Sequence, residues 1–143
     1  MQQMFRYGMT AGFLLICTWQ DVRSGKISGK VLALFAATGI AAHLLTDGCW
    51  QTFAFGMLPG IVILLFGKVS GEQIGYGDGA VILVTGLFLT GRENIGLFLT
   101  GLFLAAVFVI GLFFTGKLKR RMSLPFLPFL LAGFIVRIVS VCV

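Results

Sequence analysis

The stretch GYGDGAVILVTGLFL, residues 75–89, decides the fold, because it places one carboxylate directly before a long apolar run. After Asp78, the next charged residue is Arg92. As a helix, the run from Gly79 to Thr90 would rise about 18 Å, which is short of a hydrocarbon core about 30 Å thick. We therefore expect a short transmembrane helix that draws Asp78 below the membrane interface, where neighbouring helices must supply its partners.

The composition predicts a membrane protein. Hydrophobic residues make up 58% of the chain and charged residues 11%, with a mean hydropathy of +1.03, whereas soluble domains carry about 25% charged residues. The expected fold class is all-α, one polytopic domain over residues 1–143 with six transmembrane helices. The apolar runs that predict these helices lie at about 5–19, 31–45, 53–69, 79–90, 95–115 and 124–143.

Basic residues predict the orientation of the chain. The first, third and fifth connections carry eight Lys and Arg residues and the opposite set carries two, Arg6 and Arg92, with Arg137 inside the last run. We expect the basic connections to face the cytoplasm and both termini to face outward. The net charge of +6 is assigned to topology and contact with lipid headgroups, and no nucleic-acid partner is expected.

The acids divide between the two membrane faces. Two runs separate Asp21 from Asp78, so these residues share a face whichever way the protein is inserted. Asp47 and Glu93 fall on the opposite face, and Glu72 is the remaining acid on the Asp21 side.

Other catalytic chemistries lack the residues they need. The single histidine, His43, falls at the outer end of the second run, and Cys17, Cys49 and Cys142 are scattered without a CxxC pair. A Ser/His/Asp triad, a Cys/His pair, a histidine-rich metal site or a disulfide framework is therefore not expected on the inner face. Neither a metal nor another cofactor is predicted.

Asp21 and Asp78 remain as candidate catalytic residues. Two carboxylates held within a few ångströms do not both ionise easily, so one keeps its proton while the other is charged. Such a pair can activate water against a peptide carbonyl and protonate the leaving nitrogen. We expect Asp78, at a helix N-terminus, to be the more acidic member and Asp21, at a helix C-terminus, to hold the proton.

The residues around Asp78 suit such a site but also have a simpler interpretation. Gly75, Gly77 and Gly79 are expected to allow positive φ angles and close approach of an extended substrate, and Tyr76 to lie at the membrane interface. Alternatively, Gly-Tyr-Gly is only a turn and Asp78 is an N-cap that accepts backbone N–H groups.

Asp21 also has a structural alternative, as a solvated loop residue that pairs with Arg23 or Lys26. In the third run, Gly56 and Gly60 flank Pro59. This GxxxG pattern would allow close helix packing or a kink.

Three segments together resemble the type IV prepilin peptidases, membrane aspartyl proteases of the GxGD class. The segment GYGDGA, residues 75–80, matches the GxGD signature at the start of a helix. The segment DVRSGKIS, residues 21–28, is similar to the family's first cytoplasmic loop, and LPFLPFLLAGF, residues 124–134, to the segment that opens its last helix. The three occur in the family's order, and the resemblance extends over nearly the whole chain.

The resemblance implies that Asp21 and Asp78 are the catalytic pair and that Gly75 and Gly77 shape the loop holding the second aspartate. It implies an endopeptidase of the cytoplasmic membrane that removes the basic leader of prepilin-like or pseudopilin-like preproteins at the cytoplasmic face. The expected partners are such a preprotein and membrane lipid.

The chain differs from the family at two places. It has Ile27–Ser28–Gly29 where family members commonly have Ile-Pro-Asn, and it lacks the cysteine-rich insert of the larger bacterial enzymes. We therefore expect a minimal peptidase without methyltransferase activity.

Three other interpretations stay open. A small transporter or channel subunit could use intramembrane aspartates to bind a cation or relay protons. A protease of the signal-peptide-peptidase or presenilin kind would cut within transmembrane helices, although in those proteins the first aspartate lies inside a helix. An inactive relative retained for assembly is the third.

Overall fold

The computed structural model describes residues 1–45, 49–71, 75–119 and 124–143. Within these ranges the chain forms six α-helices and no strand, so the all-α prediction is confirmed. Asp47, Glu72, Arg120 and Arg121, which entered the sequence-based topology, lie outside the described residues. The helices are α1 (Gln2–Ser24), α2 (Gly29–Leu45), α3 (Trp50–Val69), α4 (Tyr76–Phe88), α5 (Gly91–Phe114) and α6 (Leu127–Cys142).

The short helix α4 lies at the centre of the bundle. It packs most extensively against α3 and also contacts α1, α2 and α5. Most of its residues from Gly79 to Phe88 are buried. Helix α4 is therefore enclosed by its neighbours over most of its length.

Glycines bring α3 and α4 into close contact. A Cβ at Gly56 would overlap the backbone of Gly86, and a Cβ at Gly60 would overlap the backbone of Leu83. The close packing predicted from the GxxxG pattern around Pro59 is thus confirmed, and Pro59 itself is buried within α3.

A buried polar network joins α3, α4 and α5. The Asn94 amide donates to the carbonyls of Gly56 at 2.8 Å and Ile82 at 2.9 Å, and the Thr85 hydroxyl donates to the Asn94 carbonyl oxygen at 2.9 Å. Both Asn94 and Thr85 are fully buried. Because this network is satisfied, it fixes the three helices at the cost of little unpaired polar surface.

The bundle has two ends. Asp21 and Asp78 lie at one of them, the aspartate end, and Arg6 and Arg137 lie at the other, the arginine end. At the aspartate end, the Thr18 hydroxyl near the C-terminus of α1 donates to the Leu127 carbonyl at the N-terminus of α6, at 3.3 Å. At the arginine end, Tyr7 near the N-terminus of α1 contacts the ring of Phe134 on α6, with ring centroids 6.2 Å apart. Helices α1 and α6 therefore run antiparallel.

Two of the described helices are long and apolar enough to cross a membrane. They are Trp50–Val69, with a hydropathy of 1.9, and Gly91–Phe114, with a hydropathy of 2.7. Only 17% of the apolar stretch of the first helix and 11% of that of the second are buried inside the bundle, whereas the core helix of a soluble protein is mostly buried. Large apolar side chains are also exposed on these helices, among them Phe66, Phe103 and Phe113, which indicates association with a membrane.

Candidate carboxylate site

The two predicted aspartates lie at the same end of the bundle. Asp21 occupies the last turn of α1 and Asp78 the first turn of α4. They are near enough for the negative charge of Asp21 to raise the pKa of Asp78. Both lie just outside the apolar runs 5–19 and 79–90. The structure thus brings together, from distant parts of the chain, the two carboxylates that the sequence singled out.

Asp78 is held in a mostly apolar environment. Burial, and then the charge of Asp21, raises its pKa to about 6. Its carboxylate folds back over Gly75. A Cβ built on Gly75 would lie only 2.9 Å from Asp78 Oδ2. The alternative of Asp78 as an N-cap is wrong, since Gly75 is the N-cap of α4 and no side chain caps that helix. Asp78 lies three residues further on, without a hydrogen bond to its side chain from any described residue.

Asp21 contacts the start of α6. The backbone N–H of Leu127 donates to the Asp21 carboxylate and lowers its pKa, but burial outweighs this effect and the pKa is raised. The second carboxylate oxygen, Oδ2, is buried and has no hydrogen-bond partner among the described residues. A buried carboxylate oxygen without a donor is costly, which is typical of a group kept for a purpose other than stability.

Asp21 lies inside a helix, contrary to the expectation that α1 ends there. The helix continues to Ser24 and is capped by Gly25 in the left-handed conformation, with φ of 63°, whose N–H donates to the Asp21 carbonyl at 2.8 Å. The interpretation of Asp21 as a loop residue paired with Arg23 is also wrong. The Arg23 guanidinium instead lies over the Trp19 ring, 5.3 Å from its centroid, because residues two apart on a helix do not face each other.

The surroundings of both aspartates differ from the expected ones. We expected the α4 N-terminus to make Asp78 the more acidic residue, but burial, and then the charge of Asp21, raises the pKa of Asp78 to about 6. Asp21 was expected to hold the proton because it ends α1. It lies at the N-terminus of α6 as well, and the Leu127 N–H favours its charged form.

The glycines around Asp78 act through space rather than through positive φ. Gly75 has φ of −57°, and Gly77 and Gly79 are residues of α4; the described glycines with positive φ are elsewhere, at Gly25, Gly71 and Gly116. The expectation of positive φ was therefore wrong, because the GxGD loop leads directly into a helix. Tyr76 is 44% exposed at the first position of α4.

Each of the two following glycines accommodates a neighbouring segment. A Cβ on Gly77 would lie 2.8 Å from Ile27 Cδ1, and a Cβ on Gly79 would lie 3.0 Å from Leu64 Cδ2 on α3. Ile27 belongs to the connection between α1 and α2, which is fixed where the Ser28 N–H donates to Gln20 Oε1 at 3.0 Å. The connection between α1 and α2 therefore lies against the first turn of α4.

Sequence reasoning did not anticipate the contributions of Leu127 and Ile27. A signal for the first was present, since the Pro125–Phe126–Leu127–Pro128 segment resembled the start of a family helix, and Pro is favoured near helix N-termini. The segment that contains Ile27 departs from the family motif at Ser28 and Gly29, yet the Ile27 side chain still reaches Gly77.

Histidine does not contribute to this site, whereas Cys17 lies fully buried on α1, one helical turn before Asp21. His43 contacts the ring of Phe53, with centroids 4.8 Å apart, at the end of α2 remote from Ile27 and the aspartates. Across residues 1–45, 49–71, 75–119 and 124–143, no three His, Cys, Asp or Glu residues are grouped so that they could hold a metal ion. The chemistry available at the aspartate end is proton transfer between two unequal carboxyl groups.

Comparison with known proteins adds no relative. No protein-family model, curated protein or solved structure matches this chain. Membership of the prepilin peptidases therefore stays a prediction carried by the three motifs, and the site has to be interpreted from its own geometry.

Proposed function

We propose that this protein is a membrane aspartyl endopeptidase that removes the leader peptide of prepilin-like preproteins. The observation that carries the proposal is that the last turn of α1 and the first turn of α4 bring Asp21 and Asp78 to the same end of the bundle, near enough for the charge of Asp21 to raise the pKa of Asp78. Coupled carboxyl groups with unequal pKa values supply the acid and the base that amide hydrolysis needs.

In this proposal, Asp21 is the base and Asp78 the acid. Ionised Asp21 accepts a proton from water as the water oxygen attacks the scissile carbonyl carbon, while Asp78 donates its proton to the carbonyl oxygen. When the tetrahedral intermediate collapses, protonated Asp21 gives its proton to the leaving nitrogen, ionised Asp78 takes a proton back from a hydroxyl of the intermediate as the carbonyl re-forms, and the C–N bond breaks. The raised pKa of Asp78 keeps the required proton available near neutral pH.

The position of the pair favours a substrate cut at the membrane interface. Asp21 and Asp78 adjoin the polar ends of apolar runs, and a preprotein with a basic leader followed by an apolar helix carries its scissile bond at that level. We place the site on the cytoplasmic side of the inner membrane, with all six helices crossing it, because the basic connections belong to the same end. A glycine before the cut, as in the family's substrates, would ease local unwinding.

Co-expression with a prepilin-like preprotein tests the proposal. The preprotein is expressed with the wild-type protein, Asp21→Asn or Asp78→Asn, and the N-terminus of the product is sequenced. We expect removal of the leader by the wild type alone, with equal membrane insertion of all three proteins. Processing by either Asn variant would reject the proposal.

A transport assay separates the main alternative. The purified protein is placed in vesicles loaded with a pH-sensitive dye, and proton or sodium flux is followed. The proposal predicts the leak rate of empty vesicles, whereas flux that disappears in both Asn variants would favour a transporter.

A further inference from the structure

Arg137 lies at the end of the bundle opposite the aspartates. It belongs to α6, and its guanidinium lies flat against α5 at Gly96, where a Cβ would come within 2.8 Å of Arg137 Cζ. Among the described residues, none accepts a hydrogen bond from this guanidinium or forms an ion pair with it. An arginine in an apolar helix is costly unless a partner neutralises it.

The nearby carboxylate is already occupied by other donors. Glu93 Oε1 accepts from the Tyr7 hydroxyl at 2.5 Å, and Glu93 Oε2 accepts from the Thr90 N–H and hydroxyl, each at 2.9 Å. Arg6 adds a further positive charge, with its Nε donating to the Phe88 carbonyl. The Glu93 oxygens are therefore taken by other donors, and Arg137 keeps its donors unpaired with respect to the described residues.

A cavity of about 60 Å³ opens beside Arg137. The polar side chains of Tyr7, Glu93 and Arg137 line one part of it, and Leu97, Phe134 and Ile138 are among the apolar residues that line the rest. This volume holds a group of several non-hydrogen atoms. One charged donor in an apolar wall suits an anion that is itself attached to a hydrocarbon chain.

We infer that Arg137 binds the phosphate group of a phospholipid in this cavity. The guanidinium offers a planar set of N–H donors that matches two phosphate oxygens, and the apolar wall accommodates the adjoining glycerol and acyl chain. Val141 also lines the cavity and its exposed side chain continues the apolar surface along α6. In the proposed orientation the bound lipid belongs to the outer leaflet.

The inference is independent of peptidase activity and is tested by binding. Wild-type protein, Arg137→Gln and Gly96→Ala are purified in a maltoside detergent, which contains no phosphate, and titrated with phosphatidylglycerol. Bound lipid is counted by native mass spectrometry. Arg92→Gln is the matched control, because Arg92 is exposed at the same end but does not line this cavity.

We expect Arg137→Gln to weaken phosphatidylglycerol binding at least about tenfold, and Arg92→Gln to bind as the wild type does. Gly96→Ala keeps the charge and favours the helix but displaces the guanidinium, so binding should fall severalfold even if Arg137→Gln does not fold. Equal binding by wild type and Gly96→Ala would overturn the inference, as would equal binding by a folded Arg137→Gln.

Two further ligands separate the sources of the anion. A galactosyl diacylglycerol has the acyl chains without phosphate, and inorganic phosphate has the anion without chains. We expect neither to bind measurably at concentrations that saturate the phosphatidylglycerol site. Comparable binding of the glycolipid would assign the cavity to acyl chains alone, and comparable binding of inorganic phosphate would assign it to a soluble anion; either result overturns the inference.

Discussion

The carboxylates at the two ends of the bundle differ in their hydrogen-bond partners. At the arginine end, Glu93 accepts hydrogen bonds from Tyr7 and from Thr90, whose side chain also forms a capping box with it. At the aspartate end, Asp21 has one buried oxygen without a described partner, and Asp78 is raised to a pKa of about 6.

This difference indicates which carboxylates stabilise the fold. Hydrogen bonds to a charged group contribute about 1.5 to 3 kcal/mol each, so Glu93 joins α1 to α5 at a favourable energy. Asp21 and Asp78 are instead half-buried near each other, at a cost in free energy. Natural proteins keep such costs at functional sites, which is why we propose a catalytic role for the aspartates and a structural role for Glu93.

The largest expected effect on activity comes from replacing a carboxylate with an amide, which we compare at the two ends of the bundle. Asp21→Asn and Asp78→Asn should each reduce cleavage of a prepilin-like peptide at least about 100-fold, because proton transfer is lost. Glu93→Gln should retain activity within about threefold. The measurement is the initial rate of leader removal by purified protein in detergent; a Glu93→Gln rate as low as those of the Asp variants would contradict the assignment.

The second effect is a pH dependence of stability. Because the folded pKa of Asp78 is about 6 against an unfolded value of 3.8, protonation stabilises the folded state in full below about pH 4, and this contribution is lost as pH rises through 6. Relative to Asp78→Asn, the wild type should therefore lose on the order of 2 kcal/mol between pH 4 and pH 7.5.

Thermal unfolding in detergent at these two pH values checks the prediction. Glu93→Gln serves as the control for other titrating groups. If the stability of the wild type relative to Asp78→Asn stays constant with pH, or falls as the pH is lowered, Asp78 does not carry a raised pKa.

The third effect concerns the space above Gly75. A methyl group there would lie 2.9 Å from Asp78 Oδ2, so Gly75→Ala should turn the carboxylate away and reduce cleavage about tenfold while the protein stays folded. Gly12→Ala is the matched control, since nothing lies within 4 Å of a Cβ at Gly12. Equal cleavage rates for the two variants would argue against a fixed position of Asp78.

The smallest expected effect is on stability and tests the structural role of the arginine end. Tyr7→Phe removes the donor to Glu93 and should lower the free energy of unfolding by about 1 kcal/mol without changing the cleavage rate. Tyr76→Phe, at an exposed position of α4, should change stability by less than about 0.5 kcal/mol. Equal stability losses in thermal unfolding would remove the distinction between these tyrosines.

Much of the fold follows from local properties of the sequence. Apolar runs separated by charged and glycine-rich segments predict six helices, and the parity of those runs predicts that Asp21 and Asp78 share a face. Helix limits were less accurate: α1 continues to Ser24 because Gly25 provides a left-handed cap, and α6 begins only at Leu127, after Pro125.

The parts that the sequence did not predict depend on contacts between distant segments. The Leu127 N–H lowers the pKa of Asp21, although burial raises it overall, and the chain neighbours of Asp21 and Leu127 do not indicate this contact. The Asn94 network likewise needs carbonyls from α3 and α4. Such contacts are set by the packing of the bundle rather than by local sequence pattern.

The coupling of Asp21 and Asp78 can be measured without any substrate. Infrared or carbon-13 NMR titration of labelled aspartate gives the pKa of Asp78 in the wild type and in Asp21→Asn, with Glu93→Gln as the control. We predict a pKa of about 6 in the wild type, the same value in the control, and a lower value in Asp21→Asn, because the neighbouring charge is gone. An Asp78 pKa that does not respond to Asp21→Asn would contradict the existence of the pair.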